Sequence, residues 1–228
     1  MYLIVEINRL QTAIGVPNEA CSVGWIGLTA FCSATALADT STSINAAWLV
    51  QQAIPLAGSI VDARHIADKS GEHILVLNRK AGPSPSAPKS GRTGYIQLNA
   101  AYYGRTPSGW KSEWTIRDAV DCPGLDAAAD FYAKAVTYTD LNGDGRVEVT
   151  VSYHLFCGGG VDPHTVKVIL RDGATKLAIR GESLVQLPGQ QAFGGEHQYD
   201  KALLKAGMRK YKQHLDTVWN AVAIDKRK

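Results

Sequence analysis

Eight short runs of alternating or β-branched residues, joined by turn-forming residues, constrain the fold of this 228-residue chain more than any other feature. Runs of this kind between clusters of Gly, Asn, Asp and Ser are typical of strands. The runs are residues 59–67, 72–79, 94–103, 110–120, 134–139, 147–156, 165–172 and 175–181. The connections at 68–71, 142–145 and 172–173 contain Asp, Asn or Gly, which tolerate the backbone conformations of tight hairpins. The sequence therefore predicts antiparallel strands.

No interval between these runs contains an obvious crossover helix, which a parallel sheet would require. Residues 125–134, LDAAADFYAK, are compatible with one short helix. In the run 147–156, apolar Val147 and Val149 alternate with polar Glu148 and Thr150, which indicates a strand with one buried face. We predict an α+β fold in which a curved antiparallel meander of about seven or eight strands is covered by a C-terminal helix.

The C-terminal segment has the clearest helical pattern. Its apolar residues follow one another at spacings of three and four and form one stripe: Leu204, Met208, Tyr211, Leu215, Val218 and Val222. Gly207 weakens such a helix by up to about 1 kcal/mol relative to alanine. The opposite face would carry four cations: Lys201, Lys205, Arg209 and Lys212. This basic face is either an ordinary solvated surface or a site for an anionic partner.

The N-terminal region predicts export. Residues 23–38 form an uncharged apolar run that ends in Ala36-Leu37-Ala38, as in a secretory signal peptide, and we expect cleavage after Ala38. The basic flank is thin, with only Arg9, so the start of the chain is an atypical extension of the signal peptide. An uncleaved membrane anchor is the alternative. Residues 39–58 are predicted to be a lead-in segment with one helical turn, and residues 59–228 a single domain.

Cleavage would leave two cysteines, Cys122 and Cys157, and would keep the chain mildly basic. Two cysteines in one domain of an exported protein most simply form a disulfide. Because the enclosed loop is long, such a bridge stabilises the fold by about 3 to 4 kcal/mol in the chain-entropy model. Two free buried thiols are the alternative. The small formal net charge of +3 does not predict a nucleic-acid partner.

The stretch TDLNGDGRVEVT, residues 139–150, contains the spacing of a calcium-binding loop. Asp140, Asn142 and Asp144 alternate before Gly145, but the bidentate glutamate that an EF-hand needs is replaced by Val151. The spacing fits instead the strand-loop-strand calcium sites of integrin-type repeats. There the remaining ligands would be the carbonyl of Arg146 and the carboxylate of Glu148. A metal-free hairpin turn is the alternative, because Asn-Gly and Asp-Gly are also common hairpin residues. Either way the loop is expected to have a structural role.

No catalytic residues are predicted. The six histidines show no close metal-ligand spacing and are expected to be surface or packing residues. The chain has no GxSxG motif, and the SxxK at Ser86 lies in a Pro-rich loop. Carboxylates are frequent between 113 and 130, but a glycosidase pair needs a fixed separation that sequence does not show.

An ordered set of segments resembles a family of exported bacterial proteins associated with surface-polysaccharide, or lipopolysaccharide, biosynthesis. The segments are Asp121-Cys122-Pro123, TDLNGDGRVEV, VSYHLFCGGGVDPHTVKVIL and KLAIRGES, followed by the basic amphipathic C-terminal segment. The resemblance covers about residues 66–222. It departs from the family at Gly159-Gly160, where a more polar pair is expected.

The resemblance implies a periplasmic or secreted, non-catalytic accessory protein of cell-envelope biogenesis that binds a glycan or a partner protein. It brings no catalytic residues with it. Two alternatives stay open: a periplasmic inhibitor or immunity protein directed against a toxin or lytic enzyme, and a hydrolase of envelope glycans. The hydrolase would need carboxylates that converge in a cleft.

Overall fold

Two antiparallel sheets form the framework of the protein. The computed structural model describes residues 41–87 and 93–227, so the predicted signal peptide, residues 1–38, lies outside the described residues. The first sheet consists of β1 (Ser41–Ser43), β2 (Ser59–Asp68), β3 (Gly71–Pro83), β4 (Thr93–Thr106) and β5 (Gly109–Asp121). These strands follow one another in chain order across the sheet, so the sheet is a simple meander. The tight turn at 68–71, which joins β2 to β3, is one of the hairpin turns that the sequence predicts.

The second sheet consists of β6 (Asp126–Phe131), β7 (Thr137–Thr139), β8 (Glu148–Gly158), β9 (Thr165–Asp172), β10 (Thr175–Glu182) and β13 (His197–Tyr199). Its order is β13-β10-β9-β8-β6, and β7 also pairs with β8. A small third sheet joins β11 (Leu184–Gln186), β12 (Phe193–Gly194) and β14 (Ile224–Lys226). The predicted antiparallel α+β class is confirmed, although the strands are divided between stacked sheets instead of following one continuous meander.

Residues 125–134 do not form the helix that their alanines suggest. Residues 126–131 are the strand β6, which pairs with β8 in antiparallel register, and only Ala133–Ala135 form a 3₁₀ turn. Ala129 and Phe131 both belong to the core, while Asp130 between them is exposed. Pairing with the edge of β8 and the period-two burial therefore outweigh the helix propensity of alanine.

The main hydrophobic core lies between the two sheets. The first sheet contributes Leu75, Leu77, Ile96, Leu98 and Trp114, and the second contributes Phe131, Val151, Tyr153 and Ile169. A disulfide between Cys122 and Cys157 crosses this core at its edge, with Cα atoms 5.4 Å apart. It connects the residue after β5 to β8, so the bridge predicted from the sequence is confirmed and joins one sheet to the other.

A short helix covers the outer face of the first sheet. Helix α1 (Ala46–Gln51) begins after Asn45, whose side-chain oxygen accepts the N–H of Trp48 at 2.9 Å. Leu49 and Ile54 pack on the outer side of β3 and β4. Because β1 also pairs with β2, the predicted lead-in segment packs as part of the domain.

The second helix, α2 (Arg209–Val222), covers the outer face of the second sheet, as predicted. It begins later than the apolar stripe suggests, because the preceding residues form two 3₁₀ turns instead, Lys201–Leu204 and Ala206–Met208. Gly207 lies in the second of these turns. The change in geometry buries Leu203 and leaves Leu204 64% exposed. Lys201 and Lys205 consequently lie outside the helix, so the predicted basic face is not one face of a continuous helix.

Strand β8 is buried on both faces, although the sequence predicts one polar, exposed face. Glu148, Thr150 and Ser152 are all buried. His214 of α2 contacts the hydroxyl of Thr150, with His214 Nε2 3.1 Å from Thr150 Oγ1. The helix therefore covers the polar side of β8. Within residues 41–87 and 93–227, no helix is long and apolar enough to cross a membrane.

Candidate functional site

The predicted calcium loop connects β7 to β8 and is organised by its first acidic residue. Asp140 Oδ1 accepts the backbone N–H groups of Gly143 at 2.7 Å and Asp144 at 3.1 Å. Asp140 Oδ2 accepts the N–H of Gly145 at 2.8 Å. Gly143 and Gly145 have φ values of 83° and 84°, which side-chain-bearing residues rarely adopt. The turn therefore depends on both its glycines and the carboxylate of Asp140.

The next two predicted ligands continue the same pattern. Asn142 Oδ1 accepts the N–H of Asp144, and Asp144 Oδ1 accepts the N–H of Arg146, each at 2.8 Å. Asn142 Nδ2 donates to Asp144 Oδ2 at 3.2 Å. Asp140, Asn142, Asp144 and Arg146 thus lie in one compact loop, as the spacing predicts.

Glu148, the last predicted ligand, is almost completely buried. Only 1% of the residue is exposed, and Glu148 Oε2 accepts the N–H of Leu141 at 2.6 Å. The hydroxyl of Tyr211 in α2 lies 3.4 Å from Glu148 Oε1, but its one proton is donated to Asp172 Oδ2 at 2.9 Å. Burial raises the pKa of the Glu148 carboxyl, which the Leu141 hydrogen bond opposes, and three acidic neighbours raise it further: Asp172, Asp140 and Asp144. A buried, poorly compensated carboxylate therefore lies directly beneath the loop.

The loop also connects the two sheets and α2. The N–H of Lys69, in the β2–β3 turn, donates to the carbonyl of Gly145 at 2.9 Å, and Lys69 Nζ approaches the carbonyl of Asp144 at 3.3 Å. The N–H of Val147 donates to Asp68 Oδ2 at 2.9 Å. The loop consequently acts as a joint between the first sheet, the second sheet and the helix.

The chemistry of the loop suits a hard cation such as Ca²⁺. Asp140, Asn142, Asp144 and Glu148 provide the oxygen ligands that calcium prefers. Asp140 Oδ1 accepts two N–H groups, whereas Asp140 Oδ2 and the acceptor oxygens of the other three residues accept one each and keep a lone pair. Among residues 41–87 and 93–227, however, no group of three or more His, Cys, Asp or Glu side chains is arranged to hold a metal ion. The calcium prediction therefore rests on donor chemistry and on the negative charge around Glu148.

The predicted cationic residues do not act as one surface. Lys212 Nζ donates to Asp216 Oδ2 at 2.8 Å and lies 4.1 Å from the ring centroid of Tyr199. The Lys212 ammonium group thus already interacts with the Asp216 carboxylate and with the Tyr199 ring. Lys201, Lys205 and Arg209 are exposed, at and before the start of α2.

An aromatic cluster that the sequence does not reveal lies beside α1 on the outer face of the first sheet. We call Trp48, His65 and Trp110 the aromatic surface. Their ring centroids are 6.1 to 6.4 Å apart in edge-to-face contacts, and all three residues are partly exposed. Arg105 stacks over Trp110 at 5.0 Å, and Gln52 accepts the indole N–H of Trp110 at 3.1 Å. These residues are far apart in the chain, on β2, β5 and α1, and only the tertiary fold of the first sheet and α1 brings them together.

A second unpredicted group lies at the turn between β2 and β3. Ser70 Oγ is 2.9 Å from His73 Nε2 and donates to Asp68 Oδ1 at 2.6 Å. His73 Nδ1 is 3.6 Å from Glu113 Oε1. Burial alone would raise the pKa of Asp68, but hydrogen bonds from Ser70 and Val147 outweigh it and lower the pKa. His73 is therefore a buried residue with polar partners, not only a packing residue.

These side chains line a small cavity, the hairpin cavity, of about 20 Å³. Its other walls come from β5, from β8 and from the β9–β10 turn, and they include Trp114, Arg146 and Arg171. The hairpin cavity is far too small for a sugar ring. Three carboxylates, those of Asp68, Glu113 and Asp172, line this cavity, but at this position there is no sugar-sized cleft for the glycan hydrolase considered from the sequence.

No family model, curated protein or solved structure matches this chain. Its function is therefore inferred from the geometry and chemistry of the residues themselves.

Proposed function

We propose that this chain is an exported glycan-binding protein of the cell envelope and that the aromatic surface is its glycan site. The observation that carries the proposal is the convergence of Trp48, His65 and Trp110 with two polar side chains at one exposed place. Sugars have apolar C–H faces and polar rims, and partly exposed aromatic rings beside planar hydrogen-bonding groups match both.

The polar groups of the aromatic surface favour an acidic glycan. Arg105 donates one hydrogen bond to Gln52 Oε1 at 3.4 Å, and its guanidinium has five N–H donors in all. The remaining donors suit the planar carboxylates or the phosphates of an acidic polysaccharide. Because Arg105 is exposed, an extended chain would reach it without rearrangement of the fold.

The aromatic surface is held in place before any ligand binds. Trp48 lies on α1, which the Asn45 cap and the buried Leu49 attach to the sheet. Trp110 lies near the start of β5 and pairs across the strands with Arg105 of β4. Ordering these side chains therefore costs little on binding.

Two observations support export to the envelope: the apolar N-terminal run with its small-residue cleavage site and the Cys122–Cys157 disulfide. Calcium belongs to the same proposal as a structural ion. Asp140, Asn142 and Asp144, with Glu148 beneath them, would hold it, and its positive charge would offset the carboxylates at the joint between the sheets.

An array of bacterial surface polysaccharides, both acidic and neutral, tests the proposed function. We expect the purified protein to bind at least one acidic polysaccharide and Trp110→Ala to weaken that binding by about tenfold or more, which corresponds to about 1.4 kcal/mol. Phe193→Ala is the control, because Phe193 is an aromatic residue, 37% exposed, that belongs to β12 of the third sheet. Absence of binding to every polysaccharide, or equal binding by Trp110→Ala, would contradict the proposal.

A further inference from the structure

Ser70, His73 and Glu113 have the order of contacts found in a serine nucleophile, its base and the acid that orients the base. Ser70 Oγ lies 2.9 Å from His73 Nε2. The other imidazole nitrogen, Nδ1, is buried without a hydrogen-bond partner among the described residues, and Glu113 Oε1 lies 3.6 Å from it, just beyond hydrogen-bond distance. A small movement of the Glu113 carboxylate onto Nδ1 would favour the tautomer whose Nε2 lone pair faces the serine. Ser70 itself is exposed in the β2–β3 turn.

The base is held rigidly. His73 is buried and stacks on Tyr102, with centroids 5.1 Å apart, and Tyr102 stacks on Trp114 at 4.9 Å. Gly104 leaves the space that the Glu113 carboxylate occupies, because an added Cβ would lie 2.0 Å from Glu113 Oε1. Side chains fixed in this way are the supporting groups that a catalytic constellation needs.

Arg171 lines the same cavity, and its guanidinium donates from Nη2 to the carbonyl of Gly173 at 3.1 Å. Arg171 Nε is buried and has no hydrogen-bond acceptor among the described residues, while the guanidinium lies 5.5 Å from the Trp114 ring. Burial also lowers the pKa of Arg171, although a guanidinium stays charged at neutral pH. A cationic donor at the wall of a cavity can stabilise the negative oxygen that forms during acyl transfer.

We propose that the hairpin cavity is an esterase site for small acyl groups, in which Ser70 is the nucleophile, His73 the general base and Arg171 the oxyanion donor. Glu113 is a positioning residue that acts through His73. The proposal goes beyond glycan binding and does not require it. It replaces the expectation, drawn from the family resemblance, that the protein is non-catalytic.

The proposed reaction has two balanced steps. Ser70 Oγ attacks the carbonyl carbon of the ester as its proton moves to His73 Nε2, the bond to the alcohol oxygen breaks, and that oxygen takes the proton from Nε2. Water then attacks the acyl-serine, gives a proton to Nε2, and the acyl group leaves as a carboxylic acid while Ser70 regains its proton. No oxidant or cofactor takes part.

Asp68 assists this chemistry despite its hydrogen bond to Ser70. In the resting protein one hydroxyl proton faces two acceptors, Asp68 Oδ1 at 2.6 Å and His73 Nε2 at 2.9 Å. When the proton moves to His73, the Asp68 carboxylate, 3.4 Å from Nε2, stabilises the imidazolium.

The size of the cavity selects the substrate class. A volume of about 20 Å³ accommodates little more than one water molecule or one methyl group. The methyl end of an acetyl group fits such a volume, whereas a longer acyl chain does not. The expected substrates are therefore acetyl esters of alcohols that stay outside the cavity.

Two probes test the proposal on the purified protein: p-nitrophenyl acetate as a substrate and a small alkyl fluorophosphonate as a covalent label. We expect hydrolysis of the acetate ester, at least about tenfold slower hydrolysis of p-nitrophenyl decanoate, and a single phosphonate adduct on Ser70 in peptide mass spectrometry. Because the adduct is located in the unmodified protein, this result does not depend on any variant folding correctly.

Variants complete the test. Ser70→Ala should lower the rate of hydrolysis by about 100-fold or more, since it removes the nucleophile. Ser108→Ala is the control and should leave the rate unchanged, because Ser108 is an exposed turn residue whose described side-chain hydrogen bond is to Thr106. Glu113→Gln should reduce kcat for p-nitrophenyl acetate and leave KM nearly unchanged, because it removes the carboxylate proposed to orient His73 and no contact to the substrate. Absence of an adduct on Ser70, or equal hydrolysis by Ser70→Ala, would overturn the proposal. Glycan binding is measured separately on the array, so either proposal can fail without the other.

Discussion

Replacing Glu148 by glutamine should have opposite effects on stability with and without calcium. The carboxylate is 1% exposed, receives one short N–H bond from Leu141, and lies among Asp140, Asp144 and Asp172. Without metal, its ionised form is therefore destabilising at pH 7, and each unit by which its pKa is raised costs about 1.4 kcal/mol. Glutamine keeps an oxygen that can accept the Leu141 N–H and removes the charge.

The expected magnitudes follow from linkage. In chelator, Glu148→Gln should stabilise the protein by more than about 0.5 kcal/mol, the limit for an ordinary surface substitution, because it removes a buried charge. In calcium at about 100 times Kd, the unmodified protein should gain about 2.7 kcal/mol, or roughly 5 to 11 °C. The variant lacks an anionic ligand and should gain much less.

Calorimetry or thermal melting monitored by circular dichroism, in chelator and in millimolar calcium, measures both effects. Glu182→Gln is the control, because it removes a carboxylate from an exposed position at the end of β10. The order of stability should reverse between the two conditions for Glu148→Gln and stay unchanged for Glu182→Gln. A calcium-independent Tm for the unmodified protein would refute the calcium interpretation and leave the metal-free turn.

Three further predictions concern stability. Cys122→Ser should lower the free energy of unfolding by about 3 to 4 kcal/mol. In the unmodified mature protein, denatured without reduction, a thiol assay should detect neither Cys122 nor Cys157, and two reactive thiols would show that the bridge is absent. In urea unfolding, Leu215→Ala should lower the free energy of unfolding by about 2 to 5 kcal/mol, because Leu215 is fully buried between α2 and the sheet. Leu204→Ala, at an exposed position, should change it by less than about 0.5 kcal/mol, and equal losses for the two variants would place Leu204 in the core. Burial lowers the pKa of His214, so the unfolded chain binds the proton more tightly than the folded chain does. The free energy of unfolding should therefore fall as the pH drops below about 6.5. His214→Gln should flatten this part of the pH dependence, and an unchanged slope would contradict the explanation.

Much of the fold could be predicted from local sequence. The strand at 165–172 has the same bounds in the structure, and the strands β2 to β5 extend the predicted runs by a few residues at their ends. Hairpin residues and period-two alternation act within a few residues, so a single sequence shows them. The helical stripe predicts α2 in the same way, apart from its start near Gly207.

The errors arise where a distant partner decides the outcome. Residues 126–131 form a strand because β8 offers an open edge, and the polar side of β8 is buried because α2 covers it. The alternation with Val147 predicts that Glu148 is exposed. In the structure Glu148 is buried, because Tyr211 of α2 lies against it. Burial depends on what packs against a face, which the residues of that face do not encode.

The sequence alone determines the class of this protein: antiparallel strands joined by tight turns, the cysteine pair Cys122 and Cys157, an oxygen-rich loop at 140–148 and an amphipathic C-terminal helix. Tertiary structure alone decides which side chains meet. Trp48, His65 and Trp110 come together across the first sheet, and Ser70, His73 and Glu113 meet at one end of it. The physical reason is that turns and strands are set by short-range backbone preferences, whereas sites form between residues that only strand register and sheet stacking bring within contact.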